Sequence, residues 1–349
     1  MHQRLFLKQA FVTALALLFY QVCSNIPLSS ILALLGGLDS NLGNERTGAG
    51  PLYSGNVLPI TAVGLMSVLW GGMLREILRL SVIFCKRNYY SSKSSFWLLT
   101  TFIFVFAFAL MDISRIIFSL HAAKFISSNI FSLLCIILLT GVAVTLCSIW
   151  LIDRFGLGYG IWMIFAFAGL PAVGRDVSLL FSMVSQGNSS VSLVMIHALI
   201  FVFFVVIVSI LSAAKTGQLS ALHGSFLPGA LWPFLLAGTI TDIVVFKIFR
   251  ADPTVLTGFF SVLMSMILLP MVMLYRWVDL MERKIKWSML EILVTSIPIV
   301  LIFSATHALL FYFILEKGFP TRLTAAQLLA IVFVALKILG WNELRVRAN

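Results

Sequence analysis

The sequence predicts an all-α polytopic membrane protein of ten transmembrane helices arranged as two five-helix halves. Three observations predict it. Of the 349 residues, 60% are apolar and 11% charged, whereas soluble domains carry about a quarter charged residues and under half apolar ones. The apolar residues, about 209, gather into continuous runs, enough for roughly ten spans of ~20 residues each. The connectors between the runs are short and polar. These features exclude a water-soluble globule, a secreted disulfide scaffold, a disordered chain and a collagen-like chain. The runs are continuous rather than alternating, which argues against an outer-membrane barrel.

The runs fall at 11–31, 58–78, 96–118, 130–152, 160–180, 191–213, 226–248, 255–276, 288–315 and 323–341. Each is long enough as a helix to cross a hydrocarbon core of about 30 Å. The first run lacks a small-residue cleavage site and is followed by further spans, so it reads as a span and not as a cleaved leader. The second is the least regular, with Gly64, Gly71 and Gly72. The third carries Asp112 and Arg115, three apart on one helix face, which reads as a local pair that lowers the cost of burial. The fifth is interrupted by Pro171, the seventh by Pro233 and the ninth by Pro298. Such breaks are tolerated at membrane depth where protein or water satisfies the backbone. Asp242 and Lys247 lie near the end of the seventh span, and Glu291 opens the ninth from a wet interface.

Ten spans divide as five plus five, at residues 1–185 and 186–349. An odd-numbered repeat would place its two copies in opposite orientations, as in many transport proteins. The net charge is +11, from 24 basic and 13 acidic residues. In a soluble protein that would suggest nucleic acid. Here the basic residues sit in short loops, sixteen on the side of the N-terminus and eight on the other. This bias places both termini in the cytoplasm and the chain in the cell membrane. Arg75, Glu76 and Arg79 close the second span there and read as an interfacial anchor, the alternative being a polar lip beside a pore. The longest connector, 32–57, is rich in Gly, Asn and Ser. It reads either as a surface loop or as a short re-entrant segment. The other connectors leave no room for a soluble domain.

Catalytic patterns are scarce. His2, His121, His197, His223 and His307 are scattered without metal-ligand spacing, and Cys23, Cys85, Cys135 and Cys147 form no CxxC pair. The GLGYG run at 156–160 lacks the Lys and the strand of a phosphate loop. His197 and His307 have no acidic neighbour in sequence to form a proton path. No metal, cofactor or catalytic residue is expected, and the chain does not read as an enzyme.

Several stretches together resemble the SecY family, the channel subunit of the general protein translocon. The segment 152–171, IDRFGLGYGIWMIFAFAGLP, resembles the family's ITERGIGNGISxIIFAGIxAGLP pattern between its fourth and fifth helices. Asp153, Arg154, Gly156, Gly158, Gly160, Ile161, Gly169, Leu170 and Pro171 match it, and Tyr159 stands where the family usually has Asn. In the first span, Ser24, Ile26 and Pro27 fit the end of the family's first helix, while Gln21 replaces its Arg. Residues 59–78 align without gaps to the second helix through Ile60, Ala62, Gly64, Met66 and Leu78, and Pro233 and Ala237 fit the seventh. The family's long cytoplasmic loops after the sixth and eighth helices are cut here to AAKTGQLSALHGS and DLMERKIKWS. The resemblance therefore implies a reduced or accessory SecY, with ordinary ribosome or motor docking in doubt.

The resemblance implies two aqueous funnels meeting at an apolar ring that excludes water and ions without charge. Ring candidates carried over are Leu69, Met73, Ile164 or Phe165, Ala168, Leu235, and Leu329 or Ala330. A plug would come from 40–57, with Asn41, Gly43, Gly48 and Gly50. A lateral seam would use Ser67, Gly71, Gly72, Thr239 and Thr241, small residues whose mutual affinity is modest. For each position the plain alternative is helix packing. Implied partners are a secretory polypeptide, a small SecE-like membrane subunit, a SecA-type motor and the lipid bilayer, with no nucleic acid. The rival readings are a small-molecule or ion transporter, which would show convergent polar groups at the midplane, a membrane-embedded enzyme, and a degenerate scaffold.

Overall fold

The structure, a computed structural model, describes residues 2–28, 59–85, 94–122, 130–186, 231–237, 240, 257–282, 288–294, 296–297, 300–301, 304, 327, 330–332 and 334–335. Among the described residues every regular element is a helix. The long ones are α1 (His2–Ser24), α2 (Ala62–Cys85), α3 (Ser94–Ala122), α4 (Phe131–Phe155), α5 (Gly160–Ser185) and α6 (Thr257–Glu282). Among the described residues, three stretches are long and apolar enough to cross a membrane: Phe6–Ser24, Leu99–Ser119 and Phe131–Phe155. Gly160–Pro171 and Met264–Tyr275 are shorter apolar helices.

These helices are apolar on their outer faces as well as on their buried ones. On α1, Thr13, Ala16 and Tyr20 are buried at helical spacing, while Leu7, Phe11, Leu15, Leu18 and Val22 are exposed. On α3, Val105, Ala109, Ile113 and Ile117 form an i, i+4 row that is buried, and Phe102, Phe106, Leu110 and Phe118 lie outside. In water such apolar outer faces would drive association; against lipid tails they cost nothing. The chain is therefore a membrane protein.

Because lipid is as apolar as Leu, burial alone does not hold such helices together, and close packing does. The glycines show where. A Cβ on Gly141 of α4 would run into the Ile60 carbonyl at the start of α2, and one on Gly64 would strike the Thr145 hydroxyl. A Cβ on Gly71 would come within 2.7 Å of the Val105 backbone on α3. So α2 lies flush against both α3 and α4. It runs parallel to α4, since Ile60 meets Gly141 and Gly64 meets Thr145. It runs antiparallel to α3, where Gly71 meets Val105 and the Trp70 and Phe108 rings lie 6.2 Å apart. The α1 helix is antiparallel to α4. Its Thr13 is bonded to Leu157, just past the end of α4, and its Ser24 to Thr61, beside the middle of α4.

Helix bounds differ from the sequence expectation where local chemistry intervenes. The first helix was expected over 11–31 and is observed over His2–Ser24. It stops there because Pro27 offers no N–H, and the chain turns with the Asn25 N–H bonded to the Gln21 and Val22 carbonyls. The second begins only after Pro59 and continues to Cys85. Pro171, expected to interrupt the fifth helix, lies inside a continuous helix, which gives up one hydrogen bond without breaking.

The chain forms two compact units, Met1–Ala168 and Gly169–Asn349. In the second, Met264, Leu268 and Val272 make the buried row of α6. A helical stretch at 231–237 buries Leu231, Phe234 and Ala237. Gly169 lies against Gln327 and Ile331. Ser288 and Glu291 form a reciprocal capping box. The Ser288 N–H donates to Glu291 Oε2 at 2.7 Å and the Glu291 N–H donates to Ser288 Oγ at 3.3 Å.

Candidate functional site

The site is built around the α1–α2 junction and the helix that follows it. The backbone of residues 25–28 returns beside 59–61. Pro27 and Pro59 form an isolated antiparallel bridge, and the Ile60 N–H donates to the Ile26 carbonyl at 3.2 Å. Thr61 Oγ1 donates to Ser24 Oγ at 3.0 Å, and Ser24 Oγ donates in turn to the Tyr20 carbonyl at 2.8 Å. Prolines suit this seam because each lacks one N–H that would otherwise need a partner. Leu28, Ile60 and Thr61 are all buried.

Two routes give the level of this seam. Gly141, against Ile60, lies about 15 Å from the Phe131 end of a helix about 37 Å long, at ~1.5 Å per residue. Thr13 sits beside Leu157, and Ser24 is about 17 Å along α1 from it at the same rise per residue. Both put the junction roughly halfway along α4.

The α2 helix is enclosed almost all round. From Val63 to Met73 only Met66 and Trp70 are half-buried; the rest are buried. Two ring candidates, Leu69 and Met73, stand about 140–200° around the helix from Gly64 and Gly71, at ~100° per residue. They therefore point away from the α3 and α4 contacts and are still buried. Leu65 and Glu76 share their strip. Glu76 is 2% exposed and accepts hydrogen bonds from Arg75, from Nε at 3.1 Å and from Nη2. The Arg75 charge also acts on the Asp153 carboxylate at the end of α4.

The other sequence candidates are distributed as follows. Ile164 and Phe165 are buried, and Ala168 and Leu235 are half-buried. Ala330 is buried, whereas Leu329 lies outside the described residues. So do Asn41, Gly43, Gly48 and Gly50, and also Thr239 and Thr241. Of the seam candidates, Gly71 belongs to the α2–α3 contact. Gly72 and Ser67 are buried, and Ser67 Oγ has no hydrogen-bond partner. Among the described residues no group of three His, Cys, Asp or Glu could hold a metal.

Sequence reasoning missed how the GLGYG loop is held. Thr13 Oγ1 accepts the Leu157 N–H at 2.9 Å and donates to the Gln9 carbonyl at 2.9 Å. Gly156 has no Cβ because Thr13 Oγ1 occupies its place. Asp153 Oδ1 accepts the Gly160 N–H at 2.6 Å, capping the positive end of α5 from seven residues upstream. Gly158 and Tyr159 both take left-handed backbone, φ 80° and 58°. The glycines at 156, 158 and 160 hinted at such a turn; the partner Thr13, far away in sequence, left no signal. No family model matches the chain, and no curated protein matches it.

Proposed function

We propose that the chain is the channel subunit of a Sec-type protein translocase. It is a reduced or accessory SecY that passes secretory polypeptides across the cell membrane and releases apolar segments into it. In this reading ten helices form two five-helix halves with both termini in the cytoplasm. A small SecE-like subunit clamps them and a SecA-type motor drives transport.

One observation supports this reading most. If α4 crosses the bilayer end to end, the Pro27–Pro59 seam sits near the midplane and the first turns of α1, with Leu7 and Phe11, extend past the Leu157 end of α4. Irregular backbone at that depth is tolerated only where protein buries it or where it lines a water-filled cavity. The chain leaves α1 and returns to α2 at this one level. A funnel reaching mid-depth is what a polypeptide channel needs above its apolar ring. Two further observations agree. Leu69 and Met73 are turned away from the α3 and α4 contacts and are buried on another side of α2. Tyr159, where the SecY pattern carries Asn, has a left-handed backbone, and Asn is among the non-glycine residues that adopt it most readily.

Depletion of the chain in its own cell tests the reading. A channel predicts that at least one exported polypeptide accumulates inside as an unprocessed precursor. Normal export together with a defect in uptake or efflux of a small solute would instead favour the transporter reading.

A further inference from the structure

Asp112 and Arg115 are charged residues on α3, an apolar helix long enough to cross the membrane, and packing fixes how deep they lie. Ile60 is level with Gly141, about 15 Å from the Phe131 end of α4. Gly71 lies about 16 Å further along α2, which runs parallel to α4, and it meets Val105 of α3. Val105 is therefore about 31 Å from that end. Because α3 runs the opposite way, Asp112 and Arg115 lie at about 21 and 16 Å, on an axis of about 37 Å. Both are close to mid-depth, too far inside to reach either interface by extending the side chain.

Arg115 is exposed and Asp112 half-buried. The Arg115 charge acts on the Asp112 carboxylate, yet the two make no direct ion pair, so the local pair read from the sequence is left open. The neighbouring hydroxyls are already used. Ser114 Oγ donates to the Met111 carbonyl and Ser119 Oγ to the Arg115 carbonyl, each at 2.8 Å. Leu110, Met111 and Phe118 around them are exposed. Such apolar surroundings suit lipid or another helix, not the wall of a water-filled cavity. Charges at this depth are costly unless they are paired.

We infer that this face of α3 is the contact between two copies of the chain, with Asp112 of each copy paired to Arg115 of the other. One acid and one base three residues apart make a self-complementary patch. Two copies in one membrane share an orientation, so a two-fold axis along the membrane normal sets their α3 helices parallel with like residues level. The opposite charges then differ by about 4.5 Å in height, and two ion pairs form with no net charge left in hydrocarbon. Ser119 lies about 40° around the helix from Arg115 and is small enough to let the second helix approach. A partner with a single charge would leave one of the two groups unanswered, and lipid headgroups lie at the interfaces, not at this level. The inference requires α3 to cross the membrane and does not depend on the channel reading.

The test uses the full chain in its native membrane, with Cys23, Cys85, Cys135 and Cys147 replaced by serine and Ser119→Cys added. Oxidation with copper phenanthroline should join two copies by a disulfide. Leu110→Cys in its place, about 140° around the helix from Arg115, should give about tenfold less. Asp112→Asn and Arg115→Gln should each lower the joined fraction about tenfold, the scale of one charge-assisted hydrogen bond. Differently tagged chains then test the signs. The Asp112→Arg chain carries two bases and the Arg115→Asp chain two acids. Each should fail to join its own kind and should join the other when both are made together. Asp112→Arg combined with Arg115→Asp should restore joining to its own kind. No joined copies from the chain with native charges overturns the inference, whatever the variants do. So does joining that is undiminished in Asp112→Asn and Arg115→Gln, or a mixed pair that joins no better than either chain alone at normal amounts in the membrane. Reaction of Arg115→Cys with a membrane-impermeant thiol reagent would make this face an aqueous wall and overturns it as well.

Discussion

Gly141 has no room for a side chain. Its Cα faces the Ile60 carbonyl, which belongs to the backbone and cannot rotate aside. Gly141→Ala should destabilise the protein by about 1–3 kcal/mol, the usual cost of overpacking. In detergent this appears as a lowered melting temperature. Gly174→Ala, where nothing lies within 4 Å of the added carbon, should leave it unchanged or slightly raised. Thr13 gives a second test. Thr13→Val keeps the shape but removes the acceptor for the Leu157 N–H, leaving a donor stranded at a cost of about 1–3 kcal/mol. Thr13→Ser should restore most of it, and exchange of the Leu157 amide with solvent should report both. The sequence made some of these residues legible. Asp153 and the glycines around it stood out as a pattern, though not as a helix cap. Gly141 and Thr13 did not, because a lone Gly or Thr in an apolar run looks like any other until its distant neighbour is known.

At the scale of elements, the apolar runs marked the six long helices the structure describes, while the span expected at 191–213 lies outside the described residues. Runs such as Phe131–Phe155 are too long and too apolar to be anything else. Their ends were less legible. Hydropathy marks where a chain is greasy, whereas a helix ends where hydrogen bonding changes, as at Ser24 before Pro27. A helix also continues through polar residues, so α1 runs back to His2 and α2 on to Cys85. The depth of the α1–α2 junction could not be read from sequence, since it follows from which part of α4 meets Ile60. It carries its own test. With Cys23, Cys85, Cys135 and Cys147 replaced by serine, Ile26→Cys should react in intact cells with a membrane-impermeant thiol reagent, although it lies near mid-depth. Ile26 is exposed enough for this. The same substitution at Phe106, on the outer apolar face of α3, should stay unreacted because lipid covers it. Protection of Ile26→Cys from both sides of the membrane would remove the aqueous funnel.

For the whole molecule, the central claim is that α2 borders a path for an unfolded polypeptide. Its physical basis is an inequality between faces. One side of α2 is locked by glycine contacts to α3 and α4, and Leu65, Leu69, Met73 and Glu76, buried as well, lie on the other. An apolar ring of such side chains passes a chain while refusing ions, because a dry constriction is costly for any charge. The most direct measurement is site-specific photo-crosslinking from positions 69, 73 and 235 to an export substrate stalled part-way through the membrane, with lipid-facing position 106 as control. The account predicts strong adducts from the first three and none from 106. Adducts confined to 106, or absent from all four positions while the substrate is still exported, would contradict it.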